Sequence, residues 1–377
     1  FPAFGTENIN GNDPYQRGVG ESTVDNIMGL SLFNKSVAAE TFQVAAAVTR
    51  EQVQDLKQFR IDAVAQVEAV LVNELTQSIN KYILDRIFRN GAQNASNVNS
   101  VGLQNIAIVQ QVGLLNEADI NQDGQINILG GVNNFTRVYQ QGTYNEAVVN
   151  QLGNYNKAFT ISLGHHNYTN QSQGIGWAEN NFQFTFQNGD YNESYQLQRW
   201  DNNKGIVYQH GFSNYANQDQ RTGINLADGN YGFIFQDGTM NDAYQKQFGQ
   251  QNQAYAFQFV YSNFSEQNQL GNANFALVIQ NGNHNNTKQN QVGNANEAFE
   301  FQNGSYNNSE TNQYGDWNFS STTQIGFDNL SLTIQDGLSN LSITNQFGNT
   351  HVSNVFQGGI SNSSTVTQLG GSLYLNN

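Results

Sequence analysis

The feature that most constrains this chain is an eleven-residue repeat that begins near residue 91 and continues into the C-terminal region. Each unit has a Gly, a Gln two residues before it, an Asn three residues after it and a small residue five after it. The turn glycines include Gly271, Gly282, Gly293, Gly304, Gly315, Gly326, Gly337 and Gly348. The matching amides include Gln280, Asn285, Gln291, Asn296, Gln302, Asn307, Gln313, Asn318, Gln324, Asn329, Gln335, Asn340 and Gln346. A short fixed period of this kind is typical of repeat architectures.

The spacing within one unit predicts which side chains face inward. Asn, the small residue and Gln are separated by even numbers of residues, so on a strand they point to one face. Identical amides in stacked strands lie about 4.8 Å apart and hydrogen-bond along the stacking axis. Glycine allows the left-handed backbone at which the chain reverses. We therefore predict a β-solenoid whose interior ladders of Asn and Gln hold stacked strands, and stacked subunits, together.

The units alternate in the position of their apolar residue, which gives a longer period of 22 residues. In one form the apolar residue precedes the Gln, and in the other it follows. We interpret the longer unit as one rung of two strands and two turns with two unlike sheets, and expect about 13 rungs. The alternation slips once, at Tyr314 and Ile325, and the repeat loses phase near residues 124–131, 174–178 and 222–227.

The chain before the repeat has a different character. Residues 1–35 are rich in Gly, Asn and Asp and are interpreted as an extended arm. Residues 36–90 combine a strand, indicated by period-two alternation over 41–48, with one long helix over 50–89, where apolar residues recur at helical spacing. The predicted fold class is therefore mainly β, with a β-solenoid over 91–377 preceded by an arm, a strand and a long α-helix.

Composition excludes several classes of function. The net charge is −15, which disfavours binding to nucleic acid and to acidic lipid surfaces. The absence of cysteine excludes disulfides and thiolate metal sites, and no apolar run approaches the roughly 20 residues of a membrane span. The chain begins at Phe1 rather than Met, from which we expect that a leader or propeptide has been removed.

One segment resembles a calcium-binding loop. Asp119, Asn121, Asp123 and Asn127 occupy positions 1, 3, 5 and 9 of such a loop, with a Gly at position 6. Position 12 is Gly130 rather than an acid, and the repeat itself already explains part of the pattern. Calcium binding is therefore one hypothesis for this segment and a purely structural role in the repeat is the other, and we expect no other cofactor.

The pattern of titratable residues does not indicate catalysis. None of the histidines has a partner at metal-site or triad spacing, and His351 replaces one Asn of the repeat. Acids such as Glu117, Glu146 and Glu297 recur at a solvent-facing position of the repeat, where they would favour solubility. We expect the chain not to be an enzyme.

The order Gln-x-Gly-x-x-Asn-x-(Ala/Ser)-x-x-x-Gln resembles the curlin repeat of bacterial curli fibres. The segment Gln291 to Gln302 (Gln-Val-Gly-Asn-Ala-Asn-Glu-Ala-Phe-Glu-Phe-Gln) matches it in residue type throughout. The resemblance extends over about residues 91–377. It implies a secreted, amyloid-type β-solenoid that builds surface fibres for biofilm matrix and adhesion. The chain departs from curlins in its greater length and in residues 1–90.

Residues 28–93 resemble another family, the spine-helix region of major capsid proteins of T4-like tailed phages. An extended strand that leads into a long helix, and a removed propeptide, also suit that family. The residues that carry the resemblance are Met28-Gly29, Gln54-Asp55-Leu56-Lys57, Asp62-Ala63, Asn73-Glu74-Leu75 and Ile79-Asn80-Lys81. The resemblance implies an N-terminal module shared with a virion protein.

These observations favour a structural subunit of an extracellular, curli-like fibre at the cell surface, assembled by head-to-tail stacking of rungs. The alternatives are a virion structural protein, with a solenoid shaft or head fibre, and a solenoid that binds glycans through exposed Tyr and Phe. The expected partner is the chain itself. Residues 1–35 and the helix over 50–89 are further candidates for contact with a neighbouring subunit, and neither nucleic-acid binding nor membrane insertion is expected.

Overall fold

The computed structural model describes most of the repeat region and a small part of the chain before it. The chain divides into two compact units, Phe1–Arg86 and Ile87–Asn377. Among the described residues, no helix has the length and apolar character needed to cross a membrane. The described residues are 71–77, 79–80, 94–101, 103–123, 133–174, 178–222 and 228–370.

In the first unit, residues 71–77 and 79–80 are helical. They lie within the helix predicted over 50–89. The remainder of that helix, the arm over 1–35 and the strand over 41–48 fall outside the described residues. The length of the helix and the boundary between arm and strand therefore stay predictions.

The described part of the second unit is a β-solenoid of twelve coils, each made of one strand from each of two twelve-stranded sheets. We call these the odd sheet and the even sheet. The odd sheet contains β1 (Ala95–Val101), β3 (Glu117–Asp123), β5 (Glu146–Leu152), β7 (Tyr168–Gln173), β9 (Glu193–Arg199), β11 (Tyr215–Arg221), β13 (Asp242–Phe248), β15 (Phe264–Leu270), β17 (Asn286–Val292), β19 (Asn308–Asp316), β21 (Leu330–Leu338) and β23 (Val352–Ile360). The even sheet contains β2 (Ile106–Leu114), β4 (Phe135–Thr143), β6 (Lys157–His165), β8 (Phe182–Asp190), β10 (Lys204–Phe212), β12 (Tyr231–Thr239), β14 (Gln253–Tyr261), β16 (Phe275–Asn283), β18 (Glu297–Ser305), β20 (Phe319–Phe327), β22 (Leu341–Asn349) and β24 (Ser363–Gly370).

Strands within each sheet are parallel, and their register shows how the repeat is wound. Over most of the solenoid, paired residues are 22 positions apart, as in Phe275 with Glu297. The separation rises to 29 between β3 and β5, to 25 between β7 and β9 and to 27 between β11 and β13. The added residues all fall where an odd strand passes to the next even strand. These insertions are the phase breaks seen in the sequence, and they reduce the number of coils to twelve from the thirteen predicted.

The core lies between the two sheets and is filled largely by polar side chains. Along each central strand, every second residue is fully buried, as in β13, where Ala243, Gln245 and Gln247 point inward. Only two small hydrophobic clusters interrupt this pattern among the described residues, one around Ile120 and one around Ile234. Because buried amides must find hydrogen-bond partners, the fold depends on how these side chains are paired.

The corners between strands use backbone conformations that the sequence reveals only in part. The repeat glycines have φ between about +98° and +146°, for example +125° at Gly293. Two residues later a second left-handed residue follows, and it is not glycine: Ala295 has φ 51° and Trp317 has φ 59°. Each such corner closes the chain reversal with one glycine and one strained residue, and the second was not predicted.

The outer faces of the two sheets differ, and the difference weakens near the C-terminal end. From β4 to β18 the outer face of the even sheet is dominated by aromatic rings, whereas the odd sheet carries most of the acids. From β20 onward the even sheet presents polar residues such as Thr323 and Thr365, although Ile343 and Phe347 also lie on its outer face. The odd sheet there presents Leu332, Ile334 and Phe356, and its strands lengthen from seven to nine residues at β19. Near the slip in alternation the odd sheet therefore gains apolar outer residues, while the even sheet loses most of its aromatic rings.

The close approach of successive corners makes a specific prediction at Gly293. A Cβ at this position would lie 1.9 Å from the carbonyl oxygen of Gly315 on the next coil. Gly293→Ala should lower the free energy of unfolding by about 3 kcal/mol or more, since it adds backbone strain to a steric clash. Urea unfolding followed by circular dichroism measures the change.

The matched control is Gly358→Ala, because a Cβ at Gly358 would meet no atom within 4 Å. Its effect should stay within about 0.5 kcal/mol of zero. Equal destabilisation by both substitutions would contradict the packing described for the corners.

Candidate assembly site: amide ladders and open edges

Two long ladders of glutamine run through the core along the stacking axis. In each, the side-chain Nε2 of one Gln donates to the Oε1 of the Gln one coil further on. The even-sheet ladder is interrupted once, at Ser162, whose Oγ donates to Gln187 Oε1 at 3.2 Å. The Gln280–Gln302, Gln302–Gln324 and Gln324–Gln346 bonds in the even sheet measure 2.9, 2.8 and 2.9 Å. In the odd sheet, Gln291–Gln313 and Gln313–Gln335 measure 2.9 Å. These are the glutamines that the sequence singled out, and each is buried.

Two ladders of asparagine run along the corners in the opposite sense. Asn296 donates through its backbone N and its Nδ2 to Oδ1 of Asn274, at 3.0 and 3.2 Å. Its Nδ2 also donates to the carbonyl of Gly315, at 2.7 Å. The same pattern holds at Asn285, Asn307, Asn318, Asn329 and Asn340. Each Asn therefore joins three successive coils.

His351 keeps this pattern although it is not Asn. Its backbone N donates to Oδ1 of Asn329 at 3.0 Å. Its Nε2 lies 2.7 Å from the carbonyl oxygen of Gly370, where an Asn would place Nδ2. The imidazole replaces the amide as a donor but offers no oxygen to the next coil.

A third ladder of glutamine was missed by the sequence reasoning. Gln171, Gln196, Gln218, Gln245, Gln267 and Gln289 form it on the odd sheet, with Nε2–Oε1 distances of 2.8 to 3.0 Å. The signal was present as Gln-x-Gln, since each of these residues stands two positions before a Gln of the repeat. The ladder ends at Gln289, because Thr311 takes the corresponding position on β19.

The ladders have a fixed polarity because the backbone sets the orientation of each amide. Gln302 Nε2 also donates to the backbone carbonyl of Asn286 at 2.9 Å, so its oxygen must face the other way. In the Gln-to-Gln bonds the donors therefore point toward the C-terminal end of the solenoid, and in the Asn-to-Asn bonds they point toward the N-terminal end. The two ends carry complementary sets of donors and acceptors.

The terminal strands leave these ladders open among the described residues. β1, β2, β23 and β24 each pair with one strand only. The inward positions of β1 are exposed, whereas their counterparts in central strands are buried. Gln111 begins the even-sheet ladder with no described Gln before it, and Gln368 ends it with none after. Parallel strands with open edges are a template for pairing with another chain.

Glu300 is the only buried acid in the described part of the chain, and it lies where the third ladder ends. It is 2% exposed, and its oxygens accept hydrogen bonds of 2.5 Å from Ser309 Oγ and Thr311 Oγ1. Burial raises the pKa of Glu300 to about 7, against the opposing effect of these hydrogen bonds. The carboxyl group crosses the core into space that Gln occupies in earlier coils. Its position shares strand parity with Ala298 and Gln302, which could have identified it from the sequence.

Beyond Glu300 the core is built from hydroxyl side chains. Several of these hydroxyl groups are buried and make no hydrogen bond to any described group: Ser331, Thr333, Ser342, Thr344 and Ser353. Successive coils place them one strand spacing apart, about 4.8 Å, which is too far for a direct hydrogen bond. This part of the core is held by its Gln and Asn ladders, not by the hydroxyls.

The predicted calcium ligands lie on an extended strand. Asp119, Asn121 and Asp123 all belong to β3, and Asp119 and Asn121 accept hydrogen bonds from Asn97 and Asn99. Ligands spread along a strand at about 3.3 Å per residue do not wrap around one ion. Asn127 lies outside the described residues, so the calcium hypothesis stays a prediction. Among the described residues, no group of three or more His, Asp or Glu side chains could hold a metal ion.

Comparison with protein families adds two findings. The family model "Major capsid protein Gp23" matches residues 6–119, and the model "Curlin associated repeat" matches residues 131–159. The chain resembles two structural families. The capsid match covers the region predicted from residues 28–93 and continues into the first coils of the solenoid, and the curlin match covers β4, β5 and the start of β6. A search of curated proteins found no match.

The buried carboxyl of Glu300 predicts a pH dependence of stability. Its pKa is higher in the folded chain than its ordinary value of 4.5, so its contribution to stability is complete below about pH 4.5 and is lost as pH rises through about 7. Glu300→Gln should remove this loss. As the pH rises from 4.5 to 8, the unmodified chain should lose about 3 kcal/mol of its free energy of unfolding that the variant keeps.

Urea unfolding at several pH values measures this difference. Glu297→Gln is the control, because Glu297 is exposed on the same strand, and it should change the pH profile little. A profile for Glu300→Gln that stays parallel to that of the unmodified chain would contradict the assignment of a buried, titrating carboxyl.

Two buried threonines that are paired neighbours on β19 and β21 differ in whether their hydroxyl group donates a hydrogen bond. Thr311 donates to Glu300, whereas Thr333, its neighbour on β21, makes no described hydrogen bond. Thr311→Val should lower the free energy of unfolding by about 2 kcal/mol at pH 8, since it leaves a buried carboxylate short of a donor. Thr333→Val should leave it unchanged or raise it by up to about 1 kcal/mol. The opposite order of the two variants would refute this account of the core.

Proposed function

We propose that this chain is a structural subunit that assembles end to end by stacking the coils of its β-solenoid. The observation that carries the proposal is the opposite polarity of the Gln and Asn ladders. When the C-terminal end of one copy meets the N-terminal end of another, Gln368 can donate to Gln111, and Asn105 can donate to Asn362. Ends of the same kind would place donors against donors or acceptors against acceptors, so head-to-tail stacking is favoured.

The fibre that such stacking would build fits the resemblance to curlins. In this proposal the subunit is extracellular, at the cell surface, and contributes to a biofilm matrix or to adhesion. The match to the curlin associated repeat supports it, as do the two open edges. No catalytic step is part of the proposed function, and the two matched families are both structural.

A virion structural protein is the second candidate. The observation that favours it is the capsid family model, which matches residues 6–119 and so covers the chain before the solenoid. The solenoid would then form a shaft or a fibre on the head. Negative-stain microscopy of the source distinguishes the two candidates, since one gives free filaments and the other gives particles with heads that carry the chain.

End-to-end assembly predicts that the last Gln of the ladder controls elongation. Gln368→Glu keeps the oxygen that accepts from Gln346 but removes the donor that would reach the next subunit. The Oε1 of Gln111 in the next subunit would then be buried without a donor. Such an acceptor costs about 1–3 kcal/mol, so the elongation rate should fall by about tenfold or more. Light scattering during assembly of the full chain, together with filament lengths by microscopy, measures the effect.

Thr367→Glu is the matched control. It adds the same charge to the neighbouring residue of β24, but Thr367 faces outward and is exposed. It should slow elongation much less than Gln368→Glu. Equal elongation of Gln368→Glu and unmodified filaments would exclude the ladder as the joint between subunits.

A further inference from the structure

The outer face of the even sheet between β4 and β18, which we call the aromatic face, has a continuous covering of rings. Tyr255 packs against Phe275 with ring centroids 5.6 Å apart, and Phe275 packs against Phe299 at 5.2 Å. Where the series lacks a ring, Lys204 lies 5.8 Å from the centroid of Phe182 and 5.2 Å from that of Tyr231. The rings are half-buried by one another, and their remaining surface faces solvent.

This face differs in charge from the rest of a strongly acidic chain. Its charged residues are Arg137, Lys157 and Lys204 against Asp237 and Glu297, so it is close to neutral. The outer face of the odd sheet has an excess of acids, among them Asp119, Glu146, Glu193, Glu266 and Glu310. With a net charge of −15, two copies of the chain repel one another except where such a neutral surface allows close approach.

The size of the aromatic face fits a stable interface between proteins. Eight strands at about 4.8 Å spacing and about 20 Å of strand length give roughly 700 Å² on one copy. A standard interface buries about 800 Å² on each partner. Exposed apolar patches on monomeric proteins rarely exceed a few hundred Å².

We propose that the aromatic face is a lateral interface with the same face of a second copy of this chain. The two even sheets would lie face to face, about 10 Å apart, with their side chains interleaved as in paired β-sheets. The interface ends near β20, since Ser321 and Thr323 replace the aromatic residues there. The pairing is separate from end-to-end stacking, because it uses the side of the solenoid and leaves both ends free.

Mass measurements test the pairing. Filaments of the full chain should have twice the mass per length of a single solenoid, and unassembled chain should sediment as a dimer. The double variant Phe233→Glu with Phe257→Glu should halve the mass per length of the filaments and should make the unassembled chain sediment as a monomer. The control variant, Tyr215→Glu with Tyr244→Glu, removes two aromatic residues from the odd outer face and should change neither, and circular dichroism establishes that both variants are folded.

A second measurement avoids disruptive substitutions. The chain has no cysteine, so a single cysteine reports contacts between copies. Ile206→Cys lies near the middle of the aromatic face and should form disulfide-linked dimers under mild oxidation, whereas Asn217→Cys on the odd face should not. The pairing would be overturned if filaments had the mass per length of a single solenoid and Ile206→Cys formed no cross-link. It would also be overturned if a glycan or the N-terminal unit were found to occupy this face. None of these results would affect end-to-end assembly.

Discussion

The structure depends on hydrogen bonds between buried side-chain amides of successive coils. A buried amide without partners costs free energy, and in this solenoid the Gln and Asn of the ladders find partners in the coils before and after them. Coils consequently stabilise their neighbours, as expected for a repeat protein in which interfaces between units supply much of the stability. Among the described residues, the same dependence leaves amides of the first and last coils without a partner coil on one side, and this connects the core to assembly.

The core changes composition along the axis without losing its long ladders. In the central coils a third Gln ladder fills the odd side, and small or apolar residues fill the even side. At β18 and β19 the long side chain moves across the core, since Glu300 on the even side faces Thr311 on the odd side. Close to the same level the odd sheet gains apolar outer residues and the even sheet loses most of its aromatic rings. Inner and outer changes together divide the solenoid into two segments with different packing around common ladders.

Sequence reasoning predicted the fold class, the inward direction of Gln, Asn and the small residue, and the location of the phase breaks. These features could be predicted because they depend on strand parity and on a strict period. It did not predict the third Gln ladder or Glu300. Both use the inward position two residues before the repeat Gln, and the residue type at that position varies from unit to unit, so it was not recognised as part of the repeat. The left-handed residues at Ala295 and Trp317 carry no sequence signal, since their conformation is imposed by the stacked corners. The number of coils was overestimated because the insertions were counted as repeat.

Helical reconstruction by cryo-electron microscopy of filaments formed by the full chain tests the central claim most directly. The account predicts that strand spacing of about 4.8 Å continues across the boundary between subunits. In such a map β24 of one copy lies parallel to β2 of the next, and the Gln ladder passes from Gln368 to Gln111. A boundary with a gap between the sheets, or with two ends of the same kind in contact, would contradict it.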